Sequence, residues 1–362
     1  MEEESLNRIL QEDMEAVVNS NCPLSLLENA TVLITGASGL LGSQIVKTLA
    51  CANRLKGLNI RILALIRNEK KAIQVFGDLL KREDIHLVCC DINQIPDIED
   101  SVEYIIHAAS PTSSRYFVTN PVETILTAVE GTRNILELGR RKNVKGFVYL
   151  SSLEVYGVPN TKDGHVTEKD YGYIEPLNIR SSYSEGKRLV ECLCASFAEE
   201  YGVPVKIARL SQTFGAGVEY DDSRVFAEFA RCVMEKQNIV LHTEGKTLRT
   251  YCYTKDAVSA ILFILLKGKA GEAYNVTNSD TAVTISEMAQ CVCDLFPEKN
   301  ICVQYDIPDN LTSFGYNPEM VIRMDCTKLE SLGWKATVDL KGMFFRMIHS
   351  FGDFYSHTSC EV

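Results

Sequence analysis

Apolar positions along this chain follow two alternating periods. Short, nearly continuous runs at Thr31–Thr35, Ile60–Ile66, Ile85–Cys90, Val102–His107 and Gly146–Leu150 predict buried strands. Between them lie segments of helical period at 44–54, about 69–81 and about 121–142. Such regular alternation predicts an α/β fold built on a right-handed, doubly wound parallel sheet. Ahead of it, Leu6, Ile9, Leu10, Met14, Val17 and Val18 recur at helical spacing, so an amphipathic helix belongs to residues 1–29. Packing on its own domain is favoured over packing on a partner subunit.

Past the fifth strand the pattern changes. Residues 157–180 hold no sustained period and carry prolines at 159 and 176, which predicts a long loop of the kind that covers a site. A helix at 183–201 and a strand at 204–210 follow. From Ser211 onward the elements shorten: a helix near 224–236, strands near 238–243 and 248–253, a helix at 254–267, a strand at 272–276, and helices at 284–296, 325–332 and 339–350. The expected organisation is a helical extension (1–29), a dinucleotide-binding domain (30–210) and a mainly substrate-binding, smaller α/β domain (211–362). Without a flexible linker, the last two should share a rigid cleft.

Composition narrows the ligand. A net charge of −11 with no basic run disfavours nucleic acid and anionic membranes, leaving a small molecule. No apolar run is long enough to span a bilayer, and the first residues are acidic, so a cytoplasmic protein is expected. Thirteen cysteines, an odd number without C-x-x-C, read as reduced core thiols, and six histidines without an H-x-x-x-H pair offer no metal site.

Three constellations carry chemistry. The first strand runs into Gly36-Ala-Ser38-Gly39-Leu40-Leu-Gly42 and then a helix, where glycines permit a tight turn and free N–H groups attract a pyrophosphate. The strand before and the βαβ context after it make this a dinucleotide cradle rather than an ordinary turn. Tyr183-Ser-Glu-Gly-Lys187 stacks a phenol and an ammonium on one helix face, where a cation lowers a phenol's pKa; a surface tyrosine over a lysine stem would space the same way. Gly186, unfavourable in a helix interior by roughly 1 kcal/mol, is expected to admit a close-lying cofactor. Ser152, in Ser151-Ser-Leu-Glu154, stands at the carboxyl end of the fifth strand, where its hydroxyl can steady a reacting oxygen.

Together with Asp91-Ile92, Ala108-Ala109-Ser110 and Ala208-Arg-Leu-Ser-Gln-Thr-Phe-Gly215, these motifs make residues 30 to 340 resemble the extended short-chain dehydrogenase/reductases. More narrowly, they resemble the NAD-dependent epimerase/dehydratase family of nucleotide-sugar enzymes, with the look of its UDP-glucuronate decarboxylase branch. The resemblance implies a Rossmann fold, Tyr183 as acid–base residue, Lys187 on the nicotinamide ribose and Ser152 on the reacting oxygen. It also implies Asp91 and Ile92 at the adenine, Ala108 to Ser110 near the nicotinamide ribose, and a homodimer through the helices near 121–142 and 183–201. Arg249 is the expected diphosphate contact, with Gln212, Arg224 and Val225 as further substrate contacts.

Two departures shape the expected reaction. Leu153 stands where family dehydratases carry an acid, so a 4,6-dehydratase is disfavoured, although Glu154 remains a catalytic candidate. At the end of the second strand Arg67 replaces the acidic residue that binds ribose hydroxyls and suits a 2′-phosphate. Of NADP(H) and NAD(H), this tilts the cofactor toward NADPH and the reaction toward net reduction of a nucleotide-linked keto sugar or ketose. A retained-NAD epimerase, decarboxylase or dehydratase is the alternative. A cofactor-binding sensor on the same fold is a third, disfavoured because Ser152, Tyr183 and Lys187 are all present.

Overall fold

The computed structural model describes residues 2–4, 7–161, 163–308 and 319–358, with the side chains of the last helix described as far as Gly352. In chain order the elements begin α1 (Arg8–Val18), β1 (Thr31–Thr35), α2 (Leu40–Lys56), β2 (Arg61–Ile66), α3 (Glu69–Phe76), β3 (Ile85–Cys89), β4 (Tyr104–His107), α4 (Ser114–Thr119) and α5 (Pro121–Lys142). Next come β5 (Gly146–Ser152), β6 (His165–Val166), α6 (Ser181–Tyr201), β7 (Val205–Leu210), β8 (Gln212–Phe214), α7 (Val225–Glu235), β9 (Ile239–Leu241), β10 (Leu248–Tyr253) and α8 (Thr254–Lys267). β11 (Ala273–Val276), β12 (Asn278–Thr284), α9 (Ile285–Leu295), β13 (Val303–Tyr305), β14 (Val321–Met324), α10 (Thr327–Glu330) and α11 (Leu340–Thr358) complete the chain.

Seven strands form one parallel sheet in the order β11-β7-β5-β4-β1-β2-β3. This is a Rossmann-like α/β arrangement. The central strands β1 and β2 are buried on both sides apart from Arg61, because helices cover both faces. On β1, Val32 and Ile34 join the core under α2 and α8, while Leu33 joins the opposite core under α5 and α6. The order reverses between β1 and β4, so a crevice opens at their carboxyl ends, where ligands of open α/β sheets bind.

Local chemistry ends the long helices. α2 stops at Gly57 and α6 at Gly202, both left-handed, and α5 starts on Pro121 and stops at left-handed Asn143 behind Arg140, Arg141 and Lys142. The segment expected as one helix over 69–81 breaks at Gly77 (φ +48°) into α3 and a 3-10 turn. The expected loop 157–180 contains β6, which pairs with β14.

A second sheet runs in the order β12-β10-β14-β6, with β8 paired to β10. Its strand β12 is largely polar and its strand β14 is short and half polar, so their own pattern did not announce them. α1 is buried through Met14, Val17 and Val18 against the first core, and its Leu10 reaches the core of α7, α9 and α11. Of twelve described cysteines, all free, Cys89, Cys192 and Cys302 are exposed, so the expectation of core thiols fails for these three.

Candidate active site

The crevice is closed at its floor by backbone packing. Gly36 has φ +64°, and a Cβ there would lie 2.8 Å from the Ala109 nitrogen; a Cβ on Gly42 would lie 2.2 Å from the Gly36 oxygen. Glycine at both positions therefore lets the β1 turn sit directly on Ala108-Ala109 and on the start of α2. No side chain caps α2, whose N-cap is Gly39, so its first N–H groups face the crevice beside Ser38 and Leu40. Such a cradle fits the pyrophosphate of a dinucleotide. Asp91 is exposed just beyond β3, its carboxylate accepting from the Asn93 N–H at 2.8 Å, and Ile92 is buried. Ser110 continues the strip after β4, its hydroxyl donating to the Pro111 carbonyl at 3.2 Å.

β5 and α6 bring the candidate residues Ser152, Tyr183 and Lys187 together. Ser152 neighbours the Tyr183 phenol closely enough to favour its ionised form, and its oxygen accepts the Glu154 N–H at 3.2 Å. The Lys187 ammonium lies 5.7 Å from the Tyr183 ring and 4.6 Å from that of Tyr149, and donates to the Leu150 carbonyl at 2.7 Å. Burial pulls Lys187 down to about 7. Burial, with the Glu154 charge, pushes the Tyr183 phenol up to about 12, against the downward direction expected from a neighbouring lysine. Ser152, Arg180 and Arg224 oppose that rise.

Several expectations change in detail. Glu154 accepts both Arg180 guanidinium nitrogens, at 2.8 and 3.2 Å, and the Ser184 hydroxyl at 2.9 Å, so its carboxylate is engaged rather than free. Leu153 is buried with Val155, Val166, Ile322 and Met324. Gly186 faces α5, where its Cβ would meet Ala128 at 3.6 Å. The expected cofactor approach there is thus replaced by helix packing. Sequence reasoning missed Phe117, whose ring stacks on Tyr183 at 4.2 Å and 11°, and Arg180, which lies over the same ring. Nothing local marks Phe117, because α4 reaches Tyr183 only through the fold.

In the second sheet, Arg249 carries an Nε that is buried without a hydrogen-bond partner. It lies on β10, two positions before Tyr251, the residue paired with Gln212 of β8. Arg224, just ahead of Val225 and α7, is held by Asp222 at 2.6 Å, yet its charge reaches Tyr183. Arg67 is exposed after β2, beside Asn68, which caps α3, while Lys71 is paired with Glu219 at 2.9 Å. Among the described residues no cluster of three metal-ligating side chains occurs, and no helix is long and apolar enough to cross a membrane.

The sequence profile of the NAD-dependent epimerase/dehydratase family matches residues 32–277, the stretch from β1 through the whole parallel sheet. The chain belongs to that family. UDP-glucuronic acid decarboxylase 6 of Arabidopsis thaliana is 30% identical over 326 residues, covering 86% of each chain. Among solved structures, UDP-glucose 4-epimerase of Thermotoga maritima, with UDP-glucose, has a TM-score of 0.73 at 20% identity, covering 90% of this chain and 99% of its own. The dTDP-glucose 4,6-dehydratase of Bacillus anthracis, in complex with NAD, has a TM-score of 0.72 at 18% identity, covering 90% and 98%. At those identities the structures establish the shared fold. The protein is an enzyme of this NAD-dependent family, and Gly36, Gly39 and Gly42 fall within the matched stretch. α1 lies ahead of the matched stretch.

Proposed function

We propose that the protein reduces a ketone carbon of a nucleoside-diphosphate-linked sugar or ketose, using NADPH. The observation that carries this reading is Arg67: an exposed guanidinium at the carboxyl end of β2, with no hydrogen-bond or ion-pair partner among the described residues, where a ribose 2′-phosphate would lie. Bound nicotinamide would supply the hydride. The chain supplies the rest: the Ser152 hydroxyl holds the substrate oxygen, and the Tyr183 phenol gives that oxygen its proton as the alcohol forms. A phenol pushed up to about 12 is protonated at neutral pH, the form required of an acid in the reductive direction. Arg249 would take the diphosphate, since its buried Nε otherwise lacks a partner. The Glu154 carboxylate that reaches Tyr183 is bound to Arg180, and Leu153 is buried, which disfavours water elimination.

A second reading, UDP-glucuronate decarboxylation with the dinucleotide retained, is favoured by the decarboxylase relatives that share 86% of the chain. It requires, besides Tyr183 at the hydroxyl that is oxidised and re-reduced, a proton delivered to the ring carbon that loses carbon dioxide. The two differ in cofactor. Mass spectrometry of the dinucleotide that copurifies, with binding of NADPH and NADH to stripped protein, decides between them. Preference for NADPH that Arg67→Asp abolishes supports net reduction. Tightly held NAD⁺ without NADPH preference refutes it and leaves the second reading.

A further inference from the structure

Behind the reacting groups lies a buried ion pair that hydride transfer does not itself use. Glu191 follows Lys187 by four residues and Tyr183 by eight, so all three share one face of α6. Its carboxylate is 9% exposed and is gripped by Arg209 of β7, itself 1% exposed, through Nε at 3.0 Å and Nη2 at 2.7 Å. The same carboxylate accepts the Ser151 hydroxyl of β5 at 2.5 Å. α6 is therefore tied to β5 by two bonds, Lys187 to Leu150 and Ser151 to Glu191, immediately before Ser152.

We propose that Glu191 is a positioning residue for the hydride-transfer site, its carboxylate keeping Lys187 cationic and seated while locking the serine next to Ser152. The groups facing Lys187 leave Glu191 as the anion suited to that role. From α6 come Tyr183, Glu191 and Cys194; from β5, the Tyr149 ring; from β4, His107, which is buried between the Thr35 and Thr132 hydroxyls. Burial holds His107 down to about 3 and drives the Cys194 and Tyr149 groups upward, so all three are neutral at pH 7. Burial alone works against the ammonium; the Glu191 charge works for it. Arg209 serves by holding that carboxylate, with further bonds to the Tyr156 and Tyr171 hydroxyls and the Glu168 carbonyl.

The inference rests on the reading of Lys187 as the residue that holds the dinucleotide. The test is fluorescence titration of the stripped full chain with NADPH and NADH from pH 5.5 to 9. In the wild type, affinity begins to decline near pH 7 as the lysine loses its proton. In Glu191→Gln the decline begins about one pH unit lower, whereas Glu191→Asp restores the wild-type onset. Should Glu191→Gln fail to fold because Arg209 is stranded, the Glu191→Gln/Arg209→Met pair removes both charges and is expected to show the same downward displacement. An unchanged onset in folded Glu191→Gln, or in the folded Glu191→Gln/Arg209→Met pair, whatever its thermal stability, overturns the proposal. Lys187→Met separates the premises: weak, pH-independent binding upholds the reading of Lys187, and wild-type affinity with the same pH dependence defeats that reading instead.

Discussion

Replacing Lys187 by methionine should stabilise the stripped protein while abolishing turnover. The ammonium is 3% exposed, and burial brings it from 10.5 to about 7. Each pH unit of that displacement corresponds to about 1.4 kcal/mol, so the charged lysine weakens the native state by up to about 5 kcal/mol below pH 7. Methionine forfeits the bond to the Leu150 carbonyl and the contact with the Tyr149 ring, together about 1–3 kcal/mol. A net gain of about 2–4 kcal/mol remains. The sign with pH follows from the depressed pKa. Between about pH 7 and 10.5 the unfolded chain carries a proton that the native lysine does not, so wild-type stability rises with pH across that window. The variant lacks this slope, and its advantage is fully present at pH 6 and shrinks towards pH 10. At roughly 2 °C per kcal/mol the midpoint at pH 6 should rise by about 4–8 °C. Thermal denaturation followed by circular dichroism at matched scan rates measures it. No gain at pH 6, or a gain of equal size at pH 9.5, would refute the argument that a desolvated ammonium sits under the site.

Tyr183→Phe is expected to remove turnover while dinucleotide affinity, measured by fluorescence, stays within a few-fold. Arg249→Ala should weaken UDP or dTDP binding by about 10- to 100-fold in calorimetry, the loss of a charge-assisted contact, with NADPH affinity unchanged. Gly186→Ala, whose Cβ has ordinary contact distance to Ala128, should raise stability by up to about 1 kcal/mol without altering dinucleotide affinity; a loss of affinity would return that glycine to the cofactor. Asp13 is buried on α1, bound to the Tyr253 hydroxyl at 2.6 Å and Arg346 at 2.8 Å, and burial raises it to about 6. Because the native carboxyl holds its proton longer than the unfolded one, this group makes stability fall as pH rises from about 4 to 6, and Asp13→Asn should flatten that segment of a denaturation-midpoint profile.

Much of the site was legible because its parts are local. The turn at Gly36 requires a residue without Cβ, and the Tyr183–Lys187 spacing is one helical turn wherever the helix lies. The direction of the tyrosine's pKa was not legible. It depends on the Glu154 carboxylate from after β5 and on the enclosure of α6, neither of which has a signature near residue 183. Arg180, Phe117 and Arg209 were invisible for the same reason, being arginines and an aromatic whose partners come from other elements.

By itself, the sequence determined the alternation of strand and helix, the parallel sheet, and the placement of a glycine turn and a serine at strand ends and of a Tyr/Lys pair on one helix face. These follow from side-chain period and backbone sterics, which act within a few residues. Tertiary structure alone decided which charges meet. It joined Glu154 to Arg180 and Glu191 to Arg209, left the Arg249 Nε buried without a partner, and turned Gly186 toward a helix. It also made strands of the half-polar segments Asn278–Thr284 and Val321–Met324 by pairing both with β10. Electrostatics and edge pairing act through space, and the chain order of residues carries no record of those distances until it is folded.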